Sequence, residues 1–293
     1  MDEVKQMEKH TTIIYPQWQG GGADLSTYYG AEEIERLYLE NVVYDKVPVA
    51  VLDAEMKESN NILGYDDILA QMKDAALIIG QACPHTLFTI GGGCDAGVPA
   101  VAYLNKKYAG KLTVLWFDAH GDLNTPEESS SKLFYGMPLR ALSGDGDDEI
   151  KKLIPVRLTP SQVILLGARD LDAAEKNYIV ENNITSFSVE EMECDPNVIL
   201  HAVDTAGNDN IYLHIDLDVL DPADFPYTPV PTANGLRAQT FLNILQLLKE
   251  NYRIVGTGLF SYAPAKAKVG LLTSIIDMGL RLNFDADDIP NIP

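Results

Sequence analysis

The stretch LTVLWFDAHGD, residues 112–122, passes in one step from apolar to charged. Its first six residues form a short, nearly continuous apolar run, the pattern of a strand buried on both faces. Directly behind it come Asp118, His120 and Asp122. A solvated turn with a capping aspartate would explain any one of them. In an extended segment the i, i+2, i+4 spacing turns all three to one face. Carboxylates this close raise one another's pKa unless a cation lies between them. Oxygen and imidazole donors together suit Mn, Fe, Co, Ni or Zn better than Ca.

A second stretch, HIDLDVLDP at residues 214–222, alternates polar with apolar. On a strand, His214, Asp216 and Asp218 would share one face, and Ile215, Leu217 and Val219 the other. An exposed edge strand would show the same alternation. In a covered sheet, however, two such carboxylates need a counter-charge, and a metal is the simplest one. Asp221 is a further candidate. Together the loops offer donors for two metals, with a carboxylate between them. Water between two cations becomes hydroxide near neutral pH, which is hydrolase chemistry at a planar, electron-poor carbon.

Outward from these loops, further apolar runs read as strands at residues 12–15, 47–52, 86–90, 162–166, 185–188, 211–215 and 254–259. Amphipathic stretches lie between most of them. Residues 65–79 place Ile68, Met72, Ala75 and Ile79 at helical spacing, and residues 98–108 and 238–251 behave likewise. Alternation of continuous apolar strands with helices predicts an α/β fold with a parallel sheet covered on both faces. Ligands bind at the carboxyl ends of strands in such sheets, which is where both acidic loops fall. No repeat or linker divides the chain, so residues 1–293 read as a single domain.

Net charge is −21, from 22 basic and 43 acidic residues. Such a chain repels phosphate backbones and anionic lipid, which argues against nucleic acid or membrane partners; the hydrolase chemistry read above calls for a small-molecule substrate. Cys83, Cys94 and Cys194 are too few, and odd in number, for a disulfide framework. The opening MDEVKQMEKH is polar and has no apolar stretch behind it, unlike a signal or transit peptide. A reducing cytoplasm is expected.

With these residues in hand, the chain resembles the ureohydrolase family of arginases, agmatinases and formimidoylglutamases. Asp-Ala-His-x-Asp and Asp-x-Asp-x-x-Asp-Pro occur in the family's order. Support comes from the glycine loop at residues 91–95, Asn124-Thr125-Pro126, Gly136-Met137-Pro138, Gly167-Ala168-Arg169-Asp170, and Thr228-Pro229 followed by Gly235-Leu236. The likeness spans about residues 88–264. It implies a three-layer α/β/α fold with a mostly parallel eight-stranded sheet, a trimer or hexamer, and two divalent ions, manganese by family habit. Asp118 and Asp216 would bridge the ions, with His120 and Asp218 on one and Asp122 on the other. Asp221 would support the loop. Asp118, Asp218 and Tyr135 take the catalytic positions. Asn124 and Ser131 match residues that hold a substrate carboxylate, and Asp172 and Glu175 match residues near its amino group. The implied activity is attack of metal-activated hydroxide on the carbon of a linear amidine or guanidine.

Three positions depart from the family. Cys94 stands where a histidine ligand is expected, so this metal position is either empty or takes a softer ion such as Zn or Fe; a small buried residue is the plainer reading of that cysteine. His214 shares a face with Asp216 and so reads either as a substitute ligand or as a core histidine bonded to a carbonyl. Tyr135 replaces a proton-shuttling histidine and, with a pKa near 10, would shuttle poorly. Ser261 replaces a glutamate that grips guanidinium. A catalytically impaired relative with a structural or regulatory role is the competing expectation.

Overall fold

The computed structural model describes residues 9–51 and 55–282. Among them are the strands β1 (His10–Tyr15), β2 (Asp45–Lys46), β3 (Glu58–Ser59), β4 (Ile62–Leu63), β5 (Thr86–Gly91), β6 (Leu112–Phe117), β7 (Val163–Leu166), β8 (Thr185–Phe187), β9 (Asn210–Asp216) and β10 (Arg253–Phe260). β3 and β4 form a small antiparallel hairpin. The others form one eight-stranded sheet in the order β2-β1-β5-β10-β9-β6-β7-β8, with every neighbouring pair parallel.

The apolar runs form strands because both faces of the sheet are covered. Successive side chains alternate between faces. Val114 and Trp116 of β6 join one core, while Leu115 and Phe117 join the other. The first core is closed by the helix Tyr65–Ala82 through Ile68, Met72, Ala75 and Ile79, and by the helix Val98–Lys107. The second is closed by Ala31 and Ile34 of Ser26–Tyr38, by Phe241, Ile244 and Leu248 of Ala238–Asn251, and by Leu272 and Ile275 of Gly270–Leu280. The result is the three-layer α/β/α arrangement that the resemblance implied.

One expected strand is shorter than the pattern suggested. Residues 47–51 of the apolar run 47–52 are not in a strand. Only Asp45 and Lys46 pair, beside Ile13 and Ile14. Val47 donates a last bond to Ile14 O, and Pro48 has no N–H to continue the ladder. Leu52, the end of that run, lies outside the described residues.

β5, β10, β9 and β6 are consecutive in the centre of the sheet. The loops at their carboxyl ends carry Cys94, Ser261, Asp216 with Asp218, and Asp118 with His120 and Asp122, respectively. No helix among the described residues is long and apolar enough to cross a membrane.

Candidate metal centre

Both acidic loops bend in the same way. Asp118 Oδ1 accepts the His120 N–H at 2.7 Å, and Asp216 Oδ1 accepts the Asp218 N–H at 2.8 Å. Each strand thus ends in an aspartate whose side chain captures the amide two residues on, folding the backbone into a turn. This differs from the expectation that the acidic residues would alternate along extended chain. β9 stops at Asp216, and Asp218 lies in the 3-10 turn Leu217–Val219. Asp122 has φ +54°, a left-handed conformation. The side chains converge through these turns rather than through the strand pleat.

The loops lock onto each other. Ala119 N donates to Asp218 Oδ1 at 3.0 Å, and His120 Nδ1 lies 3.0 Å from Asp218 Oδ2 and 3.3 Å from Asp118 Oδ1. Asp118, Asp122, Asp216 and Asp218 are all buried. Burial, followed by repulsion from Asp216, raises the Asp118 pKa. Burial and Asp118 raise Asp122 well above the usual range. Burial and Asp218 push Asp216 up to about 7, and burial and Asp118 raise Asp218. At His120 burial opposes the charge, but the bonds to Asp118 and Asp218 outweigh it and raise the pKa. One imidazole against four buried carboxylates leaves excess negative charge, and Asp122 Oδ2 has no hydrogen-bond partner. A divalent cation fits this arrangement, because it supplies both charge and coordination.

Two groups of donors are close enough to hold ions. Asp118, His120 and Asp218 form one; Cys94, Asp118, Asp122 and His214 form the other, the donor atoms within each group lying within 4.8 Å of one another. Asp118 belongs to both groups. Asp216 belongs to neither. Its Oδ1 takes the Asp218 amide, and its Oδ2 accepts the Cys94 thiol at 2.8 Å and the Ser261 hydroxyl. Asp221 accepts Ala223 N and Gly235 N, a loop-supporting arrangement.

Cys94 is buried in the short turn after β5, and burial followed by Asp216, Asp122 and Asp118 raises its thiol pKa well above the ordinary value. His214 is fully buried, stacked on Trp116 with ring centres 3.4 Å apart and on Phe260 at 4.5 Å. Burial holds its pKa well below the usual value. Of the two sequence readings, the carbonyl-bonded core histidine does not match: neither ring nitrogen has a hydrogen-bond partner. Gly258, opposite His214 in the register, leaves the space that the Phe260 ring fills; a Cβ there would lie 2.4 Å from that ring.

The remaining expected residues divide. Asn124, Asp172 and Glu175 come together, with Asn124 Nδ2 donating to Asp172 Oδ2 at 2.8 Å and Leu123 N donating to Glu175 Oε1 at 3.2 Å. Asp172 and Glu175 also form the reciprocal cap of the helix Ala173–Glu181, which accounts for the pair structurally. Ser131 is exposed and bonds within its own loop, to Ser129 and Leu133 N. Tyr135 and Ser261 line a cleft with His120, Asp122, Asp24 and Thr27. Burial raises the Tyr135 pKa, which keeps its hydroxyl protonated. Asp24 and Thr27 carry no motif, and only folding brings them here. Arg169 was visible in a motif, but its task was not. Its guanidinium donates to Asp218 O at 2.8 Å, Thr232 O at 2.7 Å, Ala233 O at 2.9 Å and Gly167 O at 3.1 Å, tying three loops around the centre.

Comparison with known proteins agrees with this geometry. The sequence model of the arginase family matches residues 27–282. An arginase of Staphylococcus aureus (strain MSSA476) is 32% identical over 234 residues, covering 76% of this chain and 77% of that protein. Among solved structures, Entamoeba histolytica arginase, crystallised with L-ornithine, superposes with a TM-score of 0.81 at 24% identity, over 95% of this chain and 98% of the other. Formimidoylglutamase from Bacillus subtilis superposes with a TM-score of 0.71 at 16% identity, over 96% and 87%. The chain belongs to the arginase family, hydrolases of non-peptide C–N bonds in amidines and guanidines.

Proposed function

We propose that the protein is a metal-dependent hydrolase of the ureohydrolase type that acts on a small linear amidine in preference to arginine. The observation that carries this is the pair of buried donor groups sharing Asp118 at the carboxyl ends of the central strands. Manganese suits the Asp118–His120–Asp218 group, whose donors are oxygen and imidazole nitrogen. Divalent ions held by the two donor groups would supply the Lewis acidity that lets water attack at neutral pH. Asp118 holds the two positions together. Asp218 Oδ2, beside His120, takes the proton from the attacking water and delivers it to the leaving amine. The Tyr135 hydroxyl stays protonated and donates a hydrogen bond to the substrate rather than shuttling a proton. Asn124, Ser131, Asp172 and Glu175 orient the remote end of the substrate. Ser261 cannot grip a guanidinium, and its hydroxyl is already committed to Asp216, which motivates the choice of an amidine.

The chain would act as one domain, as a trimer or hexamer, in the cytoplasm. Manganese-loaded protein should release ammonia from a panel of small amidines, and Asp218→Asn should lower kcat by about 10²–10⁴-fold. Ions bound without turnover on any amidine or guanidine would favour the second reading, a relative that keeps the fold without catalysis. The commitment of Asp216 to Cys94 and Ser261 is the observation behind that alternative.

A further inference from the structure

We propose that Cys94 and His214 jointly replace the missing family histidine and, with Asp118 and Asp122, make this position a zinc site beside the manganese position. The inference rests on the metal-dependent reading above and specifies the ion at one half of that centre.

Four observations support it. The donor atoms of Cys94, Asp118, Asp122 and His214 lie within 4.8 Å of one another, and all four residues are buried. Both nitrogens of His214 lack partners, although buried polar groups are nearly always hydrogen-bonded. Asp122 Oδ2 is likewise unpartnered. Lastly, the imidazole is held in a fixed plane between Trp116 and Phe260, and the turn that carries Cys94 ends at Gly97, where a Cβ would stand 3.5 Å from Nδ1. Burying an imidazole without a partner costs free energy, and a cation met by one nitrogen offsets part of that cost.

The donor set then decides the metal. One thiolate, one imidazole and two carboxylates are four ligands of the kinds zinc takes in tetrahedral sites. A thiolate is too soft to favour manganese, which prefers oxygen and nitrogen. Cys94 now donates its proton to Asp216 at 2.8 Å. On zinc binding the S–H bond breaks, an S–Zn bond forms and the proton is released to solvent, so binding strengthens with pH. Asp216 Oδ2 is freed from that bond in the same step.

The test uses the full chain, stripped with a chelator and reloaded with zinc and manganese. X-ray absorption at the zinc edge should show one sulfur neighbour at about 2.3 Å and the imidazole pattern at about 2.0–2.1 Å. Cobalt in place of zinc should give a thiolate charge-transfer band that Cys94→Ser abolishes. His214→Gln should weaken zinc binding by at least about tenfold while manganese binding is unchanged. Cys94→His should remove the sulfur signal and shift preference towards manganese. A zinc edge with oxygen and nitrogen neighbours only, in wild-type protein, overturns the proposal whether or not the variants fold. Manganese bound at one equivalent without any sulfur signal does the same, yet leaves the hydrolase reading standing. A chain that binds no divalent ion overturns both.

Discussion

Arg169 is the residue on which the shape of the centre depends without touching an ion. Replacing it with methionine keeps the stem and removes the guanidinium. Five carbonyls then lose a charged donor, two of them at 2.8 Å or less, on Asp218 and Thr232. Bonds to charged groups contribute about 1.5–3 kcal/mol each, but these five share one side chain and do not add. Arg169 is only half-buried, so water recovers part of the loss. We expect about 3–4 kcal/mol in all, close to the cost of two such bonds. At about 2 °C per kcal/mol for a large domain, the melting temperature falls by about 6–8 °C. Because the lost bond to Asp218 O also frees the 3-10 turn, metal affinity should drop about 10–100-fold, the usual effect of losing a group that orients a ligand. Thermal melts and isothermal titration with manganese read the two effects separately. Lower stability with unchanged metal affinity would refute the claim that Arg169 positions Asp218, and an unchanged melting temperature would refute the network itself.

Stripping the ions with a chelator should destabilise the protein, and restoring one ion at a hundred times its Kd should return about 2.7 kcal/mol, read as a rise in melting temperature; an unchanged melting temperature would count against the metal centre. His10, on β1, has its pKa lowered by burial from 6.5 to about 4. Because the folded form prefers the neutral ring, its contribution is complete above pH 6.5 and is lost as pH falls towards 4. That loss is at most about 3 kcal/mol, so His10→Gln should flatten the stability–pH curve in this window, measured by urea titration. Gly92→Ala would place a Cβ 1.7 Å from Gln17 O, backbone that cannot step aside. A cost of about 3 kcal/mol is expected, at the upper end for overpacking, and a denaturation midpoint like wild type would contradict it.

Much of the centre was legible because its chemistry is local. Asp118, His120 and Asp122 sit within five residues at the end of an apolar run, and that run reads as a covered strand, as it proves to be. Parallel order followed from strands apolar on both faces, with helices between them. The break of β2 at Pro48 was also legible, since proline has no N–H, but the apolar pattern of residues 47–52 masked it. Asp218 was placed on the wrong element for a similar reason. Period-2 alternation marks a strand, yet the Asp216 side chain captures the next amide but one and ends the strand there.

What no local pattern carries is the company that each residue keeps. The sequence set His214 two residues before Asp216, but only the register of β6, β9 and β10 puts Trp116 on one side of it and Gly258 on the other. Asp24 and Thr27 reach the cleft from the start of the helix Ser26–Tyr38, about a hundred residues away in sequence from Asp122. Arg169 binds carbonyls 49 and 63–64 residues further along the chain. By itself, then, the sequence determined the kinds of donor and the strand ends that carry them, because adjacent residues share a backbone and its periodicity. Tertiary structure alone decided which donors meet and which stay unpartnered, because strands distant in the chain are brought together by burial of their apolar faces, and that packing sets the space above them.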